Sequence, residues 1–347
     1  MTLGANCLAP SLLCGKFGMN AIAQASPPTR VFVVGATGTI GQATVRALVR
    51  RGHEVVCLVR GHAGLKAEVF AGAIVRFGDL TNPASMANEG FCGEQFDVLV
   101  SCLASRTGTP KDAWAIDHDA QLLVLNAAKA AGVKQVVLLS AICVQKPLLA
   151  FQQAKLAFEK ALIESALTYS IVRATAFFKS LSGQVERVKA GKAFLVFGDG
   201  TLTACKPISD DDLGDYLADC IDNPSRQNRI LPIGGPGEAI TPRQQGERLF
   251  ELLGRPPRFK YVPVALLDLI ITALSLLGRV VPPLAAKAEL ARIGRYYATE
   301  SMLVWDAAAG RYDAAATPST GRDNLFAYYA NLLQGKATAE RGDHAVF

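Results

Sequence analysis

The chain has 347 residues, half of them hydrophobic and only 19% charged, a composition that supports a sizeable core and excludes intrinsic disorder as the overall class. Its net charge of +6 comes without a Lys/Arg-rich run or a basic stretch interleaved with aromatics, which argues against a nucleic-acid partner and fits an anionic small substrate better. Eight cysteines without a C-x-x-C pair and four histidines without metal-ligand spacing point to free thiols in a reducing compartment and away from a protein-bound metal.

Residues 1–29 contain no Asp or Glu and end in Ser26-Pro27-Pro28. They are expected to form a disordered extension, with a start at Met19 or a serine-poor transit peptide left open. The segment VFVVGATGTIG, 31–41, then runs four apolar residues into glycines at 35, 38 and 41. A strand handing over to a helix through such a turn lets the backbone approach a pyrophosphate, with the helix N-terminal N–H groups facing the anion. Gly35, Thr37, Gly38, Thr39 and Ile40 are the candidate contacts. A second strand, Glu54–Val59, ends at Arg60, about 20 residues on, where NAD-preferring folds place a carboxylate on the ribose 2′-OH. A cation there favours a 2′-phosphate and hence NADPH; Arg50, Arg51 and Lys66 are candidates to reinforce it, or are simply solvated charges.

Strand-then-helix units follow. Ala73–Phe77 leads to Asp79-Leu80, a candidate adenine contact, and 98–102 leads to Leu103-Ala104, whose backbone suits the adenosine and ribose. A helix over 117–131 precedes a strand at 135–139 ending in Ser140. This alternation predicts an α/β fold of Rossmann type, a doubly wound parallel sheet with ligands outside the carboxyl ends of its strands. A helix over 151–166 and a strand over 169–173 come next. Beyond them the pattern loosens into a Gly-rich stretch (191–200), a helix over 210–220, the turn 233–237 and a helix over 241–253, which predict a smaller C-terminal substrate lobe. The expected division is 1–29 extension, 30–175 NADP-binding core, 176–335 segments completing the sheet and forming the lobe, and 336–347 tail. The run 262–278, VPVALLDLIITALSLLG, is short for a bilayer span of about 20 residues. A buried helix or hydrophobic ligand wall is the leading expectation, and docking on a membrane surface the second.

Short-chain dehydrogenases carry Tyr-x-x-x-Lys on the helix after the fifth strand; here 151–155 read FQQAK. Phe151 cannot donate a proton, which argues against carbonyl reduction by that route but not against hydride transfer. Three roles for Lys155 stay open: ribose binding, proton donation after desolvation, or a plain helix lysine.

The segments LLSAICVQKPLLAFQQAK (138–155), ATAFFKSLSGQVERVKAGK (174–192), FGDGTLTACKPISDDDL (197–213), LPIGGPG (231–237) and IGRYYATESMLV (293–304) resemble the divinyl chlorophyllide 8-vinyl reductases. These are the NADPH-dependent, ferredoxin-independent type, an atypical short-chain dehydrogenase branch near the isoflavone-reductase-like and NmrA-like proteins. The resemblance covers about residues 30–325, with Ala174 where that family usually shows proline. It implies reduction of the 8-vinyl group of a magnesium tetrapyrrole, divinyl chlorophyllide or protochlorophyllide, to ethyl, in (bacterio)chlorophyll synthesis. A cytoplasmic bacterial protein peripheral to photosynthetic membranes, or a plastid one, would follow. The substrate propionate would want a cation such as Lys146, Lys179 or Arg295, and the flat macrocycle apolar walls such as Phe177, Phe178, Tyr296 and Tyr297; an ordinary core role is the alternative for each aromatic. A non-catalytic NmrA-like dinucleotide sensor and an isoflavone-reductase-like enone reductase are the competing readings.

Overall fold

The computed structural model describes residues 28–61 and 67–337. The expected extension, apart from its last two residues, lies outside them, as do Lys66 and most of the tail. Six strands, β1 (Arg30–Val34), β2 (Glu54–Val59), β3 (Ala73–Phe77), β4 (Val98–Ser101), β5 (Gln135–Ala141) and β6 (Thr168–Ala174), alternate with helices α1 (Thr39–Arg50), α2 (Gln121–Ala130) and α3 (Ala150–Ile163). The chain then leaves the sheet for β7 (Phe194–Phe197) and α4 (Asp210–Asp222) before β8 (Arg229–Ile233) returns to complete it. The sheet order is β3-β2-β1-β4-β5-β6-β8, every pair parallel. The order reverses between β1 and β4, the crevice where open α/β sheets bind ligands.

Helices cover both faces, so the strands read as continuous apolar runs and not as alternating ones. Val31 and Val33 pack with Val45 and Leu48 of α1 and with Leu213, Leu217 and Ile221 of α4. Phe32 and Val34 point the other way, to Val124 and Leu125 of α2 and Phe158 and Leu162 of α3. α1 and α4 approach closely: a Cβ on Gly214 would lie 2.7 Å from the Ala43 carbonyl carbon. Their solvent edges are laced by Arg46–Asp211 (2.5 Å), Arg50–Asp215 (2.6 Å) and Arg51–Asp219 (3.3 Å). This corrects the role expected for Arg50 and Arg51. Both are engaged by α4 at the C-terminal end of α1, a 12-residue helix whose length puts them about 18 Å from the glycine turn.

The helix expected over 117–131 begins instead with a π-helical turn, Trp114–Ala120, and becomes α-helical at Gln121. The lobe holds a parallel pair, β7 with β9 (Phe259–Val262). It packs with α5 (Pro242–Leu252) and α8 (Leu325–Leu333) around Phe194, Val196, Leu249, Phe250 and Tyr329. Between α5 and α8 the chain forms an antiparallel pair of helices, α6 (Val264–Leu277) and α7 (Pro282–Thr299).

The apolar run is not the buried helix expected from its composition. α6 has no buried residue, and Leu266, Leu269, Leu276 and Leu277 are 45%, 66%, 56% and 56% exposed. Nor is it the ligand wall: of the run, only Val262 lines the main cavity. Hydropathy reports that a segment is apolar, not which surface covers it. Among the described residues no helix is long and apolar enough to cross a membrane.

Candidate functional site

The three glycines of the β1–α1 turn have three separate physical causes. Gly35 has φ +74°, and a Cβ there would sit 2.5 Å from the Cys102 carbonyl carbon; one on Gly41 would lie 2.1 Å from the Gly35 carbonyl oxygen. The fold itself demands both. Gly38 is different: its φ is −70°, and a Cβ would meet only the Gly35 oxygen at 3.5 Å. The protein therefore has room for a side chain at 38, and the open space above it suits the close approach of a pyrophosphate. Thr37 and Gly38 are exposed, Thr39 half-buried, and the Ile40 side chain belongs to the core. The first N–H groups of α1 have no carbonyl a turn earlier and stand free for an anion.

Along the rim, Arg60 is exposed at the end of β2. It stands close enough to Asp79 to help the Thr81 amide and hydroxyl, the stronger influence, hold that carboxyl below the usual range. Leu80 is buried beside it. Leu103 and Ala104, after β4, lie where the crevice deepens into a cavity of about 470 Å³, within the range of about 300–1,000 Å³ usual for small-molecule sites.

The ends of β4, β5 and β6 form the cavity floor. Lys155 reaches it from α3, its ammonium 2.8 Å from Asp117 Oδ1, with the Lys side chain 13% and the Asp side chain 0% exposed. The π-helical turn aims Asp117 at this point, where it also accepts the Ser105 N–H at 3.2 Å; its second oxygen has no partner. Among the described residues, Lys155 is the one cation lining the cavity. Phe151, one turn before it, is buried in the same wall. Ser140 lies within β5 rather than beyond it, and its hydroxyl donates to Glu159 at 2.5 Å. Glu159 is in turn held by the Arg173 guanidinium. The hydroxyl of Ser140 is thus committed to the fold. Opposite the floor, α7 contributes Leu290, Ile293 and Tyr297.

The expected substrate contacts divide. Phe177 and Tyr297 line the cavity; Lys146, Phe178, Lys179, Arg295 and Tyr296 do not, each for an identifiable reason. Lys146 pairs with Glu300 at 2.7 Å and lies over the Trp305 ring. Arg295 is bound to Asp268 on α6. Lys179 faces Asp210, whose carboxyl burial raises even so. Phe178 packs in the lobe core against Tyr328, and the Tyr296 hydroxyl donates to the Cys143 carbonyl at 2.9 Å and to that of Lys146 at 3.2 Å. Asp117 is the site residue that sequence reasoning missed. Its signal was an acidic residue on the inward face of an otherwise apolar helix, opposite the helix that carries Lys155.

A family model described as NAD(P)H-binding matches residues 35–224. The divinyl chlorophyllide a 8-vinyl-reductase of Oryza sativa subsp. indica, a chloroplastic protein, is 49% identical over 333 residues, spanning 92% of this chain and 82% of the relative. The Arabidopsis thaliana protein of the same name is 47% identical over 332 residues, 90% and 79% of the two. In fold, the chain is similar to the NADPH-dependent quinone oxidoreductase QOR2 of Escherichia coli solved with NADPH (TM-score 0.64, 19% identity, 87% and 99% covered). It is also similar to AtPrR2 solved with NADP+ and (+)pinoresinol (TM-score 0.63, 18% identity, 88% and 99% covered).

Proposed function

The chain belongs to the family of divinyl chlorophyllide a 8-vinyl-reductases, and we propose from that membership that its cavity receives 3,8-divinyl chlorophyllide a or the protochlorophyllide. It is an NADPH-dependent oxidoreductase acting on a C=C bond, reducing the 8-vinyl group to ethyl. The residues present fit the dinucleotide: Gly38 leaves its backbone open, α1 presents free N–H groups, and a cation, Arg60, stands where a 2′-phosphate is expected. When bound, NADPH supplies the hydride. Lys155, fixed by Asp117 at the floor, is assigned to the nicotinamide ribose; Asp79, Leu80, Leu103 and Ala104 to the adenosine side.

The observation that carries this reading is the apolar cavity at the carboxyl ends of β4, β5 and β6, in which Phe151 stands where carbonyl reduction needs a phenol. A vinyl group conjugated to a macrocycle accepts hydride at its terminal carbon because the charge spreads into the ring. Such a reaction asks the protein for placement and one proton. Phe177 and Tyr297 offer the flat walls. With Lys146 and Arg295 already paired, we place the propionate at the open mouth, in solvent. The exposed faces of α6 and α7 suit peripheral contact with pigment-bearing membranes.

The test is the purified protein with NADPH and the divinyl pigment, read as NADPH oxidation together with a blue shift of the Soret band as one vinyl leaves conjugation. Binding of NADPH without pigment turnover would favour a dinucleotide sensor instead.

A further inference from the structure

Reduction of a vinyl group consumes one proton, and the residues around the cavity floor leave it without an obvious donor. Phe151 has none to give. The Ser140 hydroxyl is committed to Glu159 and the Thr175 hydroxyl to the Lys206 carbonyl; the Lys155 ammonium gives one N–H to Asp117, and its remaining donors are assigned above to the nicotinamide ribose. Tyr296, buried beside the cavity, donates to two backbone carbonyls.

Tyr297 is placed otherwise. It comes from α7, far along the chain from the dehydrogenase helix, and its ring lines the same cavity as Phe151 and Lys155. The adjacent turn of α7 lies against that helix, because Ile293 and Phe151 both close on Gly108. The Tyr297 hydroxyl lies beside the thiol of Cys143, which also feels the charge of Lys155. Sulfur is a weak hydrogen-bond partner, unlike the oxygens that accept from Ser140 and Tyr296. The residue as a whole is 37% exposed, while its hydroxyl end is the buried part.

We propose that Tyr297 is the proton donor of the reduction, supplying from the lobe the phenol that position 151 has lost. The inference rests on the vinyl-reduction reading above. Hydride from NADPH forms a C–H bond at the terminal vinyl carbon, and the π electron pair moves to the inner carbon and the ring. The Tyr297 O–H bond breaks, its proton bonds to the inner carbon, and the oxygen keeps the electron pair until water returns a proton. Burial, and next the Cys143 thiol, raise the phenol well above the ordinary tyrosine value, which makes it a weaker acid than a free tyrosine and leaves the basicity of the carbanion formed by hydride addition to drive the transfer. Lys155 is then left to hold the ribose.

The experiment is Tyr297→Phe, which removes one oxygen and keeps the ring. The expected result is a kcat lower by about 100-fold or more, the loss typical of a missing general acid. NADPH Kd from fluorescence titration should match the wild type, and the solvent deuterium isotope effect on kcat should be larger. Adding Phe151→Tyr to that variant should recover part of the rate, since it returns a phenol to the same wall. A Tyr297→Phe enzyme within threefold of wild-type kcat would overturn the assignment, and so would a loss of rate matched by an equal loss of NADPH affinity. Failure of the wild-type protein to reduce the pigment at all would instead remove the reaction on which the assignment rests.

Discussion

Replacing Lys155 with Met perturbs stability and chemistry at once, and the Asp117 contact allows the two to be separated. The ammonium lies 2.8 Å from a carboxylate whose side chain is fully buried, and without it Asp117 keeps the Ser105 N–H but loses this cation. Removing one member of such a buried pair costs about 3–5 kcal/mol, a large part of the roughly 5–15 kcal/mol that holds a typical domain together. At about 2 °C per kcal/mol for a chain of this size, the melting temperature should fall by roughly 6–10 °C. The double variant Lys155→Met/Asp117→Asn buries no lone charge and should regain most of that loss. Activity should not return: loss of nicotinamide placement by about 1 Å costs on the order of 100-fold in rate, and both variants should show it, each with a weakened NADPH Kd. Circular dichroism melts, fluorescence titration with NADPH and the Soret assay measure the three quantities. A single variant melting within about 2 °C of the wild type would refute the buried pair as described, and unchanged kcat and Kd would take Lys155 out of the site.

Arg60→Asp should shift preference from NADPH toward NADH, raising the NADPH KM about tenfold, the loss of one charge-assisted contact to a phosphate; unchanged KM values for both cofactors would show that Arg60 does not meet the 2′-phosphate. Gly38→Val should leave a folded protein that no longer binds NADPH by calorimetry, because the space above Gly38 is open to ligand and not filled by protein. Gly41→Ala should instead lower the melting temperature, its Cβ colliding with the Gly35 carbonyl. Exposed α6 should support peripheral membrane contact and no span, since Asp268 would cost about 2.5–3.5 kcal/mol at a bilayer centre. Alkaline carbonate should release the protein, and Leu269→Glu with Leu276→Glu should reduce its sedimentation with liposomes; retention with one-sided protease protection would count against this.

Where local chemistry decides the structure, the chain was readable. The β2 and β3 limits follow from β-branched runs closed by Gly52, Gly61, Gly72 and Gly78, and the nucleotide turn from glycines whose constraints are backbone ones. Partnership across the chain was not readable. Lys146 and Arg295 look like free cations in sequence because Glu300 and Asp268, which take them, lie far away. Tyr297 was readable as a candidate wall, but Asp117 becomes a site residue only when a π-helical turn brings it to Lys155, a distortion that propensity and periodicity do not announce. The apolar run was readable as a helix, but its exposure depends on how α7 folds back against it.

The docking of α4 on α1 bears on how this protein is made. The helix that presents the glycine turn is covered by residues from Asp210 onward, with Gly214 fitted against Ala43 and three aspartates facing three arginines. During synthesis, Val45 and Leu48 leave the ribosome long before Leu213 and Leu217 exist to cover them. At about 5–20 residues per second, that apolar stripe stays bare for roughly 10–30 s, long enough to recruit a chaperone. The nucleotide site therefore matures late, although it is encoded first, and a nascent chain ending at Ala174 holds the motif without the surface that supports it.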